Sequence, residues 1–239
     1  MTTKHRQILS IQHLLTLGRP LVVGTIHDAA GVRVLKSITA DRPRGLDLLE
    51  VRLDSPAQAT LSKITKWPLP VIATARHPAE GGAGKLTMTE RRRLLECALP
   101  WASAVDVELR SSRELASVVA QAHQHGRTVI LSHHDFKATP SLSALKKLAA
   151  RAADEGADLF KVAALLLEPS DLQRLIEFQT AEVKVPVVAM GMGPAGKLSR
   201  IVLSGFGAPL CYGWLGNPQV PGQWPGLELR GMLDEVLPE

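Results

Sequence analysis

Apolar runs recur along this chain at regular intervals, separated by stretches with helical spacing. Eight runs read as strands: Leu21–Asp28, Asp47–Asp54, Val71–Arg76, Ala104–Leu109, Thr128–Phe136, Asp158–Leu167, Val185–Met192 and Ala208–Leu215. Short, β-branched-rich runs bounded by Gly, Pro, Asp and Ser mark strands buried on both faces. Helical patterns lie between them, at Ser55–Thr65, Thr87–Leu99, Ser111–His125, Ser141–Glu155, Ser170–Val183, Lys197–Leu203 and Leu227–Val236, with a weaker one at Val32–Thr39. Thr87 with Glu90, and Ser111 with Glu114, have capping-box spacing. Gly126 and Gly156 stand where helices stop. Eight strands alternating with helices predict one (β/α)8 TIM barrel domain spanning residues 1–239. A doubly wound sheet is the alternative that fits the same pattern.

The alternation inside each run changes the picture. Residues two apart share a face of a strand. Leu49, Val51 and Leu53 therefore oppose Glu50, Arg52 and Asp54, and Val105, Val107 and Leu109 oppose Asp106 and Glu108. Ser132, His134 and Phe136 share a face. The third run ends at Arg76, and the sixth carries Lys161 in the middle of Asp158–Leu167. The apolar faces must meet the helices, so the charged faces point into the barrel. Barrel interiors normally hold branched apolar side chains, and enclosed charges are costly unless paired. Either a structural ion-pair network or a polar active site at the strand C-termini accounts for them.

Lys161 is the centre of the second reading. A desolvated lysine amine is a nucleophile toward a carbonyl and forms a Schiff base; the iminium then acidifies the neighbouring C–H. His134, one strand away and inward, titrates near neutrality and suits proton transfer to and from that carbon. Glu80 and Asp106 are candidates to orient its ring, with pairing to Arg52 or Arg76 as the alternative. Glu50, Arg52 and Arg76 suit a polyhydroxylated ring or neutralise one another. Thr25 adds a hydroxyl or simply closes its strand. Arg200, after a glycine-rich turn, suits bidentate binding of a carboxylate.

Composition narrows the classes. The chain has 239 residues, 45% hydrophobic and 21% charged, the balance of an ordinary globular protein. No signal peptide or membrane-spanning run is read. The net charge of +5 suits an anionic small molecule. With four Phe, four Trp and one Tyr, there is no basic-aromatic stripe for nucleic acid. Arg91-Arg92-Arg93 reads as a solvated helix face. Cys97 and Cys211 read as reduced packing residues of a cytoplasmic protein. Gly191-Met-Gly193-Pro-Ala-Gly196 matches a dinucleotide fingerprint, but no acid occurs between Glu182 and Glu228, where the ribose partner belongs. His133-His134-Asp135 are adjacent on a strand and cannot all turn inward, so no metal site is expected.

Seven motifs in order carry a resemblance. They are Glu50-Val-Arg52-Leu-Asp54, Arg76-His-Pro-Ala-Glu80-Gly-Gly82, Val105-Asp106-Val-Glu108, Ser132-His-His134-Asp-Phe136, Phe160-Lys161-Val, Met192-Gly-Pro-Ala-Gly196-Lys-Leu-Ser-Arg200 and Pro221-Gly-Gln223. Together, from about Leu21 to Gln223, the chain resembles the type I 3-dehydroquinate dehydratases. The resemblance implies reversible dehydration of 3-dehydroquinate to 3-dehydroshikimate in the shikimate pathway. Lys161 would form the imine and His134 would act as base and then acid, with no metal or cofactor. Arg200 would bind the substrate carboxylate, and Gln223 would sit on a loop that closes over the site. It also implies a homodimer. Many members have a serine four residues before the loop glutamine, where this chain has Gln219. A class I aldolase-like barrel, or a binding barrel without turnover, are the competing classes.

Overall fold

The computed structural model describes residues 11–61 and 66–237. Eight parallel strands follow in chain order: β1 (Leu21–Ile26), β2 (Leu48–Arg52), β3 (Val71–Thr74), β4 (Ala104–Glu108), β5 (Thr128–Asp135), β6 (Leu159–Leu165), β7 (Val187–Met192) and β8 (Leu210–Leu215). Each pairs with its predecessor from β2 to β7, and β8 returns to β1 with Val23 opposite Tyr212 and Thr25 opposite Trp214. Sequential order with first and last strands in contact is the barrel, and it excludes the doubly wound alternative.

The helices are α1 (Ile11–Leu15), α2 (Ala29–Leu35), α3 (Gln58–Leu61), α4 (Met88–Ala98), α5 (Ala116–Gln124), α6 (Leu142–Asp154), α7 (Pro169–Gln179), α8 (Gly196–Gly205) and α9 (Gly226–Val236). The end of the helix expected over Ser55–Thr65 lies outside the described residues, as does the start of the chain. Helix α1 was not foreseen; its Ile11 is buried with the inward residues Leu21, Val23, Leu48 and Ile72, and so helps to plug the barrel floor. The outward residues of the same strands, Val22, Leu49 and Val51 among them, form the larger core beneath the helices.

Three expectations are corrected. Thr87 and Glu90 do form a capping box on α4, but Ser111 and Glu114 do not form one on α5. Ser111 ends a 3-10 turn, and its hydroxyl accepts from Arg91 instead. Arg91 is not on a solvated face: it is 1% exposed and shares the buried side of α4 with Leu95 and Ala98. Cys97 is exposed, and only Cys211 is a packing residue.

Among the described residues no ladder joins β7 to β8, yet the buried edge of β7 is satisfied. The Gln179 side chain donates to the Val187 carbonyl and accepts from the Ala189 N–H, both at 3.0 Å. Ser199 accepts from the Gly191 N–H, and Arg200 donates to the Gly191 carbonyl. Side chains thus replace the missing strand, as buried backbone groups require. Beyond the seam, a short strand β9 (Trp224–Pro225) pairs with Gly213 and Trp214 of β8.

Candidate active site

The charged residues converge as alternation requires. Thr25, Glu50, Arg52, Arg76, Glu80, His134, Lys161, Arg200, Gln219 and Gln223 all line one cavity of about 330 Å³. It includes residues at the C-terminal ends of strands from both halves of the barrel, the end at which barrel enzymes carry their sites.

Lys161 projects inward from β6 and is 3% exposed. Its Nζ lies 2.5 Å from Asp106 Oδ2, 3.7 Å from Glu50 Oε1, and 4.5 Å from the centroid of the Tyr212 ring. Glu50 in turn accepts from Thr25 Oγ1 at 2.7 Å and from Thr74 Oγ1 at 2.9 Å, so two neutral hydroxyls fix its carboxylate. Asp106, a candidate either to orient His134 or to pair with Arg76, accepts from Ser132 Oγ at 2.6 Å and from Arg76 Nη1 at 3.0 Å. Arg76 and Lys161 hold its carboxyl below the usual range, against the opposing effect of burial.

Arg76 crosses to β4 and β5. Its Nη1 also donates to Glu108 Oε1 at 3.0 Å and Ser132 Oγ at 2.7 Å, and the carboxylates of Asp106, Glu108 and Glu50 keep it charged despite burial. Arg52 makes a bidentate pair with Asp54, at 2.8 and 2.7 Å, and donates to the Gly81 carbonyl at 3.0 Å. Asp54 also accepts from the N–H groups of Arg76 and Ala83, which anchors both ends of the turn carrying Glu80. Arg52 therefore lines the cavity with its charge already matched.

Glu80 is the carboxylate that bonds the histidine. It lies in a 3-10 turn (Pro78–Glu80) capped by Gly81 in the left-handed region at φ +86°. Its Oε2 accepts from the His134 N–H at 2.9 Å and lies 3.0 Å from His134 Nδ1. Burial, reinforced by the nearby Glu108 charge, pushes its carboxyl up to about 7. His134 moves the other way: burial, then the charges of Arg76 and Lys161, lower its pKa well below the ordinary value. An ionised Glu80 has no proton to give, so Nδ1 is the donor and Nε2 keeps its lone pair.

Arg200, on α8, spends part of its guanidinium on backbone carbonyls. Its Nε donates to the Tyr212 carbonyl at 3.1 Å, and its Nη1 is shared by the carbonyls of Gly191, Gly196 and Gly222 at 2.9, 2.9 and 2.6 Å. Among the described residues no carboxylate pairs with it, and burial pushes its pKa down to about 10. Nη2 makes no hydrogen bond within the described chain. Gly222, at φ +83°, fits so closely that a Cβ there would sit 2.2 Å from the Gly193 carbonyl oxygen. Gly196 faces the same contact, which explains the spacing of the glycine-rich turn without a dinucleotide. Gln223 Oε1 accepts from the N–H groups of Gln219 and Val220 at 2.8 and 3.3 Å, folding the loop onto itself.

The sequence reading missed Tyr212 and Arg91. Tyr212 was open to the alternation argument, being two residues beyond the inward Leu210. Arg91 was open to the helix phase set by Thr87.

Comparison with known proteins agrees with this geometry. The family model described as Type I 3-dehydroquinase matches residues 30–236. The 3-dehydroquinate dehydratase of Methanothermobacter thermautotrophicus is 36% identical over 201 residues, 82% of this chain and 87% of that protein. That of Methanococcoides burtonii is 33% identical over 225 residues, 90% of this chain and 94% of that protein. Among solved structures, the type I 3-dehydroquinate dehydratase of Clostridium difficile, with covalent modified comenic acid, superposes with a TM-score of 0.78 at 26% identity, covering 92% of each chain. With the barrel, the order of motifs and a match over most of the chain in agreement, the chain belongs to the type I 3-dehydroquinase family.

Proposed function

We propose that this protein dehydrates 3-dehydroquinate through an imine on Lys161, with His134 carrying the proton. The dehydratase activity follows from the family; the residue roles are read from the site. One observation carries the reading: a buried lysine, a histidine whose Nδ1 is occupied by Glu80, and a buried arginine that has no carboxylate partner among the described residues line one cavity.

The substrate is an anion. Its carboxylate would supply the counter-charge that Arg200 lacks, using the free Nη2 edge. Its hydroxyls meet acceptors and donors on Glu50 and Arg52. The Lys161 amine adds to the ketone carbon, a C–N bond forms, and the ketone oxygen leaves as water. The iminium withdraws electrons from the adjacent carbon. His134 Nε2 takes a proton there, and the electron pair moves into a conjugated enamine. The β-hydroxyl then departs with the proton returned by His134, so one base serves as acid in the next step. Hydrolysis of the unsaturated iminium releases the enone and restores the amine.

The ammonium of Lys161 must first lose a proton. Asp106, held low, is a poor recipient. Glu80 titrates near neutrality and reaches the site through His134. The neutral His134 required as base is the form that its buried, cation-flanked position favours.

The test is turnover. Wild-type protein given 3-dehydroquinate forms an absorbing enone, and Lys161→Ala does not. Equal enone formation by Lys161→Ala overturns the imine, and absence of product from the wild type overturns the activity.

A further inference from the structure

We infer that Arg91, which lies behind the cavity on α4 and bonds Glu108, is a positioning residue that sets the electrostatic balance around His134 and Glu80. The inference rests on the reaction proposed above, and its geometry stands independently of it.

Arg91 makes three contacts with its guanidinium. Nε donates to the Ala75 carbonyl at 2.8 Å, Nη1 to Ser111 Oγ at 3.0 Å, and Nη2 to Glu108 Oε2. Glu108 turns its other oxygen to Arg76 Nη1 at 3.0 Å and to the His77 N–H at 2.8 Å. Arg76 holds Asp106, and Asp106 holds Lys161. A continuous line of buried ion pairs therefore runs from α4 to the reactive amine.

The charges in that line balance only if Arg91 is counted. Arg91, Arg76 and Lys161 are three cations, and among the described residues Glu108, Asp106 and Glu50 are the three anions within 4.0 Å of them. Without Arg91 the cluster holds one uncompensated negative charge beside Arg76. Packing alone does not call for a guanidinium here. Leu95 and Ala98 already seat the buried side of α4, and a buried ion pair is often matched in stability by apolar side chains of similar volume. Burying an arginine at this position is explained by its charge.

His134 is the group that reads the balance. Facing it are Glu80 from the turn after β3, Arg76 from the end of β3, Asp106 from β4, Lys161 from β6 and Arg52 from β2. Glu80 is in turn faced by Glu108, Arg76 and Arg110. Removing Arg91 makes this surrounding more negative, which favours the protonated forms of His134 and Glu80.

The experiment measures the pH profile of kcat/KM for 3-dehydroquinate, and the NMR titration of the His134 ring, in wild type, R91M, E108Q and R91M/E108Q. R91M moves the acid limb and the His134 midpoint upward by about half a pH unit or more. E108Q moves them downward, and the double variant, again balanced, returns both to the wild-type position. An R91M protein with lowered Tm and both readings unmoved overturns the inference, leaving Arg91 a structural residue. Should R91M fail to fold, R91Q, which keeps a polar side chain but not the charge, decides: an upward move supports the coupling and an unmoved midpoint overturns it. Absence of wild-type turnover would defeat the proposed reaction, while the NMR titration would still decide the role of Arg91.

Discussion

Arg200 Nη1 donates to the Gly222 carbonyl at 2.6 Å, so the helix that closes the β7–β8 seam also holds the loop carrying Gln223. The same nitrogen bonds the Gly191 and Gly196 carbonyls. One side chain thus joins β7, α8 and the loop at the point where an anionic substrate would arrive. Arg200→Lys keeps the charge but loses the planar fork. Charged hydrogen bonds are each worth about 1.5–3 kcal/mol, so kcat/KM falls about 100-fold, mainly through KM. Steady-state kinetics on 3-dehydroquinate check this.

Gly222→Ala tests the loop without touching a charge. The substitution meets a backbone oxygen and a left-handed φ, neither of which an alanine accommodates without movement. The loop must shift, carrying Gln223 with it. We expect kcat/KM to drop about 10-fold for a strain of about 1–2 kcal/mol, with a small loss in Tm. Unchanged kinetics would show that the Gln223 loop does not need this packing for turnover.

Glu80→Gln separates orientation from charge. The amide can still bond His134, but it cannot take a proton, so kcat falls about 10- to 100-fold, the range of general acid–base contributions. Stability moves the opposite way. Folding raises the Glu80 pKa from 4.5 to about 7, so the folded state binds the proton more tightly. The stability this contributes is complete below pH 4.5 and is lost as pH rises toward about 7. Denaturation at several pH values should therefore show Glu80→Gln gaining on the wild type across that window, by up to about 3 kcal/mol.

Asp106→Asn removes the anion shared by Lys161 and Arg76. Loss of one member of a buried pair costs about 3–5 kcal/mol, because the partner charge is left without compensation. A Tm decrease of several degrees by calorimetry, with strongly reduced turnover, is the expected outcome. A variant as stable as the wild type would show that Glu50 and Glu108 suffice to hold the cations.

The fold was legible because strands such as β2 and β4 state their facing twice, once by apolar residues and once by charged ones. Glu50 and Arg52 against Leu49 and Val51 is such a statement, and the structure follows it. Helix boundaries were less legible: Ser111 matched a cap in spacing, but tertiary contact with Arg91 took its hydroxyl. The identity of partners was the least legible. Alternation turns Asp106 inward but is silent on Glu80, whose approach to His134 depends on the turn geometry after β3, which residue spacing does not encode. The arginine triplet misled because composition was read in place of helix phase. Residues 91, 95 and 98 lie on one side of a helix begun at Thr87.

The central claim is that Lys161 becomes covalently bonded to the substrate. Borohydride reduction of the protein mixed with 3-dehydroquinate, followed by peptide mass spectrometry, tests it directly. The account predicts a reduced adduct on the peptide carrying Lys161, absent in Lys161→Ala. Enone formed in full with no adduct on that peptide would contradict it.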